Sequence, residues 1–127
     1  MTDESDQLNA LTEKIIGAAF AVANNLGIGF LEKVYENALA FELRKNGLKA
    51  EQQSPIKIYY DNVIVGDYVA DLVVEQSVLV ELKAVKALDD IHFAQCMNYL
   101  KATGMKVCLL LNFGTSKIQI KRIVNNF

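Results

Sequence analysis

Two acids and a lysine stand out because of where they sit. Asp71 lies within Tyr68-Val69-Ala70-Asp71-Leu72-Val73-Val74, and Glu81 and Lys83 lie within Val78-Leu79-Val80-Glu81-Leu82-Lys83-Ala84. Both stretches are otherwise mostly apolar and read as buried strands, where an unpaired charge costs on the order of several kcal/mol. Side chains alternate along a strand, so Glu81 and Lys83 share one face while Val80 and Leu82 share the other. If the intervening turn is Glu75-Gln76-Ser77, Val74 lies opposite Val78 and Asp71 directly opposite Glu81. Opposed residues have Cβ atoms about 4.5–5.5 Å apart, and two carboxylates that close raise one pKa or gather a cation. Mg²⁺ takes a few hard oxygen ligands and keeps several waters. Asp71, Glu81 and the backbone carbonyl of Leu82 supply such a half-shell, for Mg²⁺ or Mn²⁺. Lys83 beside it would orient and help deprotonate a water for in-line attack on a phosphodiester, or stabilise the developing negative charge. The competing reading is an Asp/Glu/Lys cluster that neutralises itself, and another turn length would break the pairing.

Helices must complete such a site. His92, Gln95 and Tyr99 recur at i, i+3 and i+7 and share one helical stripe, beside an apolar stripe of Phe93, Met97 and Leu100. Gln95 is placed to donate to a phosphate or a metal-bound water, and Tyr99, His92 and Tyr35 are substrate-contact candidates. The alternatives are ordinary core packing for Tyr99 and a packed or surface role for His92. Glu32 follows Gly29 by three residues and precedes Tyr35 by three. It sits at the edge of an apolar helical stripe, where it would reach inward as a further acid or remain on the surface. Glu36 is expected further from that face, and Glu42 is a rival for the inward position. Lys117, Lys121 and Arg122 read as a solvated face, with a phosphate track as the weaker alternative.

The elements that position these residues follow from periodicity. Leu8, Leu11, Ile15, Ala19 and Val22 predict a first helix to about residue 24, broken by Asn24-Asn25-Leu26-Gly27-Ile28-Gly29. Leu31, Val34, Tyr35, Ala38, Leu39 and Leu43 predict a second, ended by Asn46-Gly47. Ile56, Ile58 and Tyr60 alternate as a strand, Asp61-Asn62 is a tight turn, and residues 63–74 form a second strand in which Gly66 marks a bulge or bend. Residues 78–84 form a third strand, and a helix runs from about residue 90 to 102, with Asp89-Asp90 at its N-terminus and Gly104 past its end. Val107-Cys108-Leu109-Leu110-Leu111 is a strand covered on both faces, and Ile118, Ile120 and Ile123 mark a last, half-exposed strand.

At 127 residues and 52% apolar, the chain suits one α/β domain over residues 8–127, with residues 1–7 as a frayed tail. That tail is acidic and polar and does not read as a signal peptide; no apolar run approaches the ~20 residues of a membrane span. Cys96 and Cys108 sit in apolar segments without metal-ligand spacing and read as buried free thiols, so a cytoplasmic location is expected. A net charge of −2 argues against nucleic-acid binding by bulk electrostatics, so any such contact needs a local patch or a bound metal.

In this order the residues resemble the GxxExxY protein family, a branch of the PD-(D/E)XK nuclease-like superfamily. The name motif appears as Gly29-Phe30-Leu31-Glu32-Lys33-Val34-Tyr35, the acidic pair and lysine as Asp71 and Glu81-Leu82-Lys83, and the downstream Gln-x-x-x-Tyr as Gln95 to Tyr99. Leu109-Leu110-Leu111-Asn112-Phe113-Gly114 is also similar, and Ala70 replaces the proline of the superfamily name. The resemblance implies a restriction-endonuclease-like core, a mixed sheet flanked by helices. It implies Asp71 and Glu81 as metal ligands, Lys83 as catalytic lysine, Glu32 as additional acid, and Gln95 and Tyr99 as supporting residues. The activity it implies is Mg²⁺-dependent hydrolysis of nucleic acid, DNA before RNA, with specificity from a partner, a homodimer or nucleic-acid structure. A non-catalytic nucleic-acid-binding or oligomerising module on the same fold is the alternative.

Overall fold

The computed structural model describes residues 4–125. Its centre is β4 (Val107–Asn112), buried at every residue, beside β3 (Val78–Lys83), buried at all but its last. These two strands run parallel, with Val78 opposite Val107 and Lys83 opposite Asn112, and α3 (Asp90–Thr103) makes the crossover between them. On one side of the pair lie β2 (Val63–Val74) and the edge strand β1 (Ala50–Tyr60), and on the other lies β5 (Gln119–Val124), all antiparallel to their neighbours. The sheet order is β1-β2-β3-β4-β5. The chain is thus a mixed five-stranded sheet flanked by helices, with its elements in the order the periodicities predict.

Strand alternation divides the core in two. Leu72, Val74, Val80, Leu82, Leu109 and Leu111 pack against α1 (Glu4–Leu26) and α2 (Glu32–Lys45). Val73, Leu79, Cys108 and Leu110 face the opposite way, against Cys96, Tyr99 and Leu100 of α3. Both cysteines are buried free thiols, as expected. Among the described residues no helix is long and apolar enough to cross a membrane.

Several boundaries differ from expectation; α1 continues through Asn24 and Asn25 to Leu26, and β3 ends at Lys83. Residues 4–7 belong to α1 rather than to a tail. Glu4 and Asp6 suit the positive end of the helix dipole, and Glu4 also pairs with Lys106 at 2.7 Å. Residues 1–3 of the expected tail lie outside the described residues. β1 begins at Ala50, six residues before Ile56, because its polar start is held from outside: Gln52 and Gln53 donate to Glu36 on α2. β5 begins at Gln119, one residue after Ile118.

Both hairpins turn through left-handed residues. Asp61 and Asn62 have φ of 49° and 64°, and Glu75 and Gln76 have 52° and 54°. The β1–β2 register slips between Ile58 and Tyr59, where Gly66 opposes Ile58 and Ile64 opposes Tyr59, so the bulge falls beside Gly66 as expected. In the second hairpin Ser77 N–H donates to Val74 C=O at 3.0 Å and Val74 faces Val78, the register that a three-residue turn requires.

Candidate active site

The sheet loosens at Asp71. β2 pairs with β3 through Leu72–Val80 and no further, and its pairing with β1 passes from Gln52–Leu72 to Ser54–Ala70, skipping Asp71. Gln53, the residue left over on β1, has a φ of 53°. The alternation slips there too: Ala70 and Val73 pack on the α3 side, while Leu72 and Val74 face α1 and α2. Side chains replace the missing ladder. Asp71 N–H donates to Glu81 Oε2 at 2.8 Å, and Leu82 N–H donates to Asp71 Oδ2 at 2.9 Å. Each carboxylate therefore fixes the other strand's backbone with one oxygen, and the second oxygen of each has no hydrogen-bond partner among the described residues.

The charge there is unbalanced. Glu81 is 3% exposed, and burial followed by the charge of Asp71 pushes its carboxyl from an ordinary 4.5 up to about 8. Burial also raises Asp71, against the Leu82 N–H and the charge of Lys83, which hold it down. Lys83 lowers Asp71, Glu81 and Glu32 through its field, yet among the described residues it forms no direct ion pair with any of them.

Glu32 opens α2 and feels both Lys83 and Asp71; burial raises its carboxyl first, Lys83 opposes, and Asp71 and Glu36 add to the rise. The motif around it has a physical account. Gly27 and Gly29 take φ of 70° and 107°, which lets the chain turn sharply out of α1. Tyr35, one turn into α2 and 1% exposed, pins that loop: its hydroxyl donates to Gly27 C=O at 2.7 Å and accepts the Phe30 N–H at 3.2 Å. Its ring stacks on Phe113 at 4.7 Å. Tyr35 is therefore an anchor, and the expectation that it touches substrate is corrected by its burial.

Glu36 corrects another expectation. It is 3% exposed, not remote, and its carboxylate accepts from Lys33 (3.0 Å), Gln52 (2.7 Å) and Gln53 (2.7 Å). It thereby ties α2 to the irregular stretch of β1 beside Asp71. Glu42, the rival, pairs with Lys45 at 3.2 Å at the far end of α2.

On α3, Gln95 Nε2 donates to the Tyr99 hydroxyl at 3.0 Å. Burial and the charges of Glu81 and Asp71 raise the Tyr99 phenol, which places that pair within the field of the acids. His92 is committed elsewhere. Its Nδ1 accepts the Asp89 N–H at 3.0 Å, and the His92 N–H donates to the Asp89 C=O at 2.9 Å, which ties the imidazole to the start of α3.

Asn112 was missed as a positioning residue. It is fully buried, and its amide links the ends of β3 and β4: Oδ1 accepts the Val85 and Gly114 N–H groups, and Nδ2 donates to Val85 C=O and Gln119 Oε1. Gly114 comes so close that a Cβ there would collide with the Val85 backbone. A lone Asn ending an apolar strand was the available signal.

The PD-(D/E)XK nuclease superfamily matches residues 9–123. The chain belongs to that superfamily. No curated protein matches it in sequence. Among solved structures, the chain resembles the crystal structure of SSO0001 with a TM-score of 0.56 at 17% identity, over 75% of this chain and 50% of that one. It also resembles an alkaline exonuclease from Laribacter hongkongensis, with a TM-score of 0.54 at 14% identity, over 99% of this chain and 73% of that one. The chain thus spans half the length of SSO0001, and likenesses at these identities speak to the fold alone. In this PD-(D/E)XK chain the residue before the first acid is Ala70, fully buried opposite Ser54.

The donor set suits a small, hard divalent cation: two carboxyl groups, each with a spare oxygen, both raised by burial, so that a bound cation would favour their ionised forms. Among the described residues no three His, Cys, Asp or Glu side chains converge to hold a metal by themselves. The Leu82 carbonyl and water would have to complete the shell.

Proposed function

We propose that this chain is a divalent-metal-dependent phosphodiesterase of nucleic acid, with Mg²⁺ or Mn²⁺ as the ion, DNA as the preferred polymer and the cytoplasm as its location. The observation that carries the reading is the Asp71–Glu81 pair, held one carboxylate to the other's strand and left without a contacting cation. Membership of the superfamily and the fold likeness to an alkaline exonuclease support it. Asp71, Glu81 and the Leu82 carbonyl would hold the ion, which supplies Lewis-acid stabilisation of phosphate charge and a more acidic water. Lys83 orients the attacking water and stabilises charge on the phosphate with its Nζ protons. Gln95, steadied by Tyr99, presents its amide to a phosphate oxygen or to the water. Glu32 adds an acceptor beside Lys83 and keeps the lysine's charge directed at the site.

Cleavage of mixed single- and double-stranded DNA and RNA with Mn²⁺ or Mg²⁺ tests the reading, alongside calorimetric titration of Mn²⁺. Asp71→Ala is expected to lose both saturable binding and cleavage, and Lys83→Ala to lose cleavage by at least about a hundredfold while keeping the ion. Cleavage that survives both substitutions would refute the assignment.

A further inference from the structure

Beside the acids, on the α3 side of the sheet, the surface forms an extended groove. A cavity of about 210 Å³ is lined in part by Gln95, Tyr99, Asn98 and Tyr68. A second of about 490 Å³ continues from Tyr68 and Asn98 to Tyr59, Lys57 and Lys101. Tyr68 and Asn98 line both, so the two form one path leading from the Gln95–Tyr99 pair to the outer end of the β1–β2 hairpin.

Its chemistry differs from that of the rest of the chain. Acids outnumber bases 15 to 13 in the sequence, yet neither cavity is lined by an Asp or a Glu, and both of its charged lining residues are lysines. Tyr59 and Tyr68 are 61% and 52% exposed, a costly way to display two aromatic rings unless something covers them. The Tyr68 ring stands 5.7 Å from that of Tyr99 and tilts by 46° against it, leaving one Tyr68 face open. Lys57 is held by Asp67 at 2.7 Å, but both partners are exposed, and such a pair exchanges readily for a phosphate. Open aromatic faces, amides at their edges and lysines alongside are the combination that takes unstacked bases with their backbone. A duplex keeps its bases stacked inside and cannot offer them to Tyr59 or Tyr68.

The geometry points to a single strand of nucleic acid lying in this groove, its bases stacked on Tyr68 and Tyr59 and its phosphates met by Lys101 and Lys57 as it leaves the acidic site. This rests on the phosphodiesterase reading and adds its substrate class: a single-stranded end or tail.

The test is binding of a fluorescein-labelled ten-nucleotide oligothymidylate, and of a duplex of equal length, to the full chain in EDTA, read by anisotropy so that neither metal nor cleavage enters. Wild type is expected to prefer the single strand. Tyr68→Ala and Tyr59→Ala should each weaken binding by about fivefold or more, and Tyr68→Phe should retain it because the ring is kept. Lys101→Ala should lower the dependence of log Kd on log salt by roughly 0.7, the value of one single-strand phosphate contact. Equal affinity for duplex, or Tyr68→Ala binding like wild type, overturns the proposal. So does a concentration-dependent dimer that Tyr68→Ala abolishes, since the occupant would then be a second copy. The two readings fail separately. Weakened binding in the tyrosine variants with cleavage surviving Asp71→Ala keeps the groove and removes the acidic site's role. Unchanged binding with cleavage lost in Asp71→Ala does the reverse.

Discussion

Replacing Glu81 by Gln should make the metal-free protein more stable, and only where the wild-type pair is under electrostatic stress. Gln keeps an oxygen to accept the Asp71 N–H and removes the charge. The folded-state pKa of Glu81 is raised, from 4.5 to about 8. A raised carboxyl contributes its stability below the unfolded value and loses it as pH climbs to the folded value, because the unfolded chain ionises freely across that window and the folded chain does not. At 1.36 kcal/mol per pH unit, the interval from 4.5 to about 8 is worth roughly 5 kcal/mol, and relaxation of the site will reduce it. Burial raises Asp71 and Glu32 as well, so the variant retains part of the same slope.

The assay is urea unfolding in EDTA at constant ionic strength from pH 4.5 to 8.5. Wild type should lose stability across this range. Glu81→Gln should lose about 3–5 kcal/mol less, equivalent to a Tm about 10 °C or more higher at pH 8.5, with the curves converging near pH 4.5. Mn²⁺ should then narrow the gap at pH 8, stabilising wild type by about 2.7 kcal/mol at a hundred times its Kd and the variant by far less. Parallel wild-type and variant curves would refute the reasoning, since they would mean that Glu81 is not destabilised by burial and by Asp71.

Three further outcomes follow from particular contacts. Tyr35→Phe keeps the stack on Phe113 but leaves Gly27 C=O and Phe30 N–H without their partner, so it should cost about 1–2 kcal/mol in chemical denaturation and speed amide exchange at Phe30. Asn112→Ala removes four hydrogen bonds from a fully buried amide and should cost about 3 kcal/mol or more by the same measurement. Glu42→Gln should leave metal-dependent cleavage intact and shift stability by less than about 1 kcal/mol, whereas Glu32→Gln should slow cleavage, and equal rates for the two would show that Glu32 has no special place.

Where the sequence was legible, one physical rule was enough. A three-residue turn between β2 and β3 fixes the Val74–Val78 register, and that register brings Asp71 to Glu81. The order of elements followed in the same way. What stayed hidden depends on contacts between elements distant in sequence. Glu36 looks like a surface residue of α2 until Gln52 and Gln53 arrive from β1 to bond it, and those same polar residues hid the first half of β1. Tyr35 and His92 were assigned by their chemistry to substrate, but a buried hydroxyl two bonds deep in a glycine loop and an imidazole tied to the start of α3 are held locally. The Tyr35 bonds could not be foreseen without the path of the loop between Gly27 and Phe30.

The break in pairing at Asp71 and the instability of the acids have a common origin. A regular ladder would have satisfied Asp71 N–H and Leu82 N–H with backbone carbonyls and left both carboxylates free to turn to water. Instead the skipped pair, with Gln53 in a left-handed conformation, makes each carboxylate a substitute for a ladder acceptor. That locks both acids in place before any ion arrives, at the cost of holding charge where burial opposes it. Apolar residues at 71 and 81 would allow the ladder to close and would stabilise the sheet.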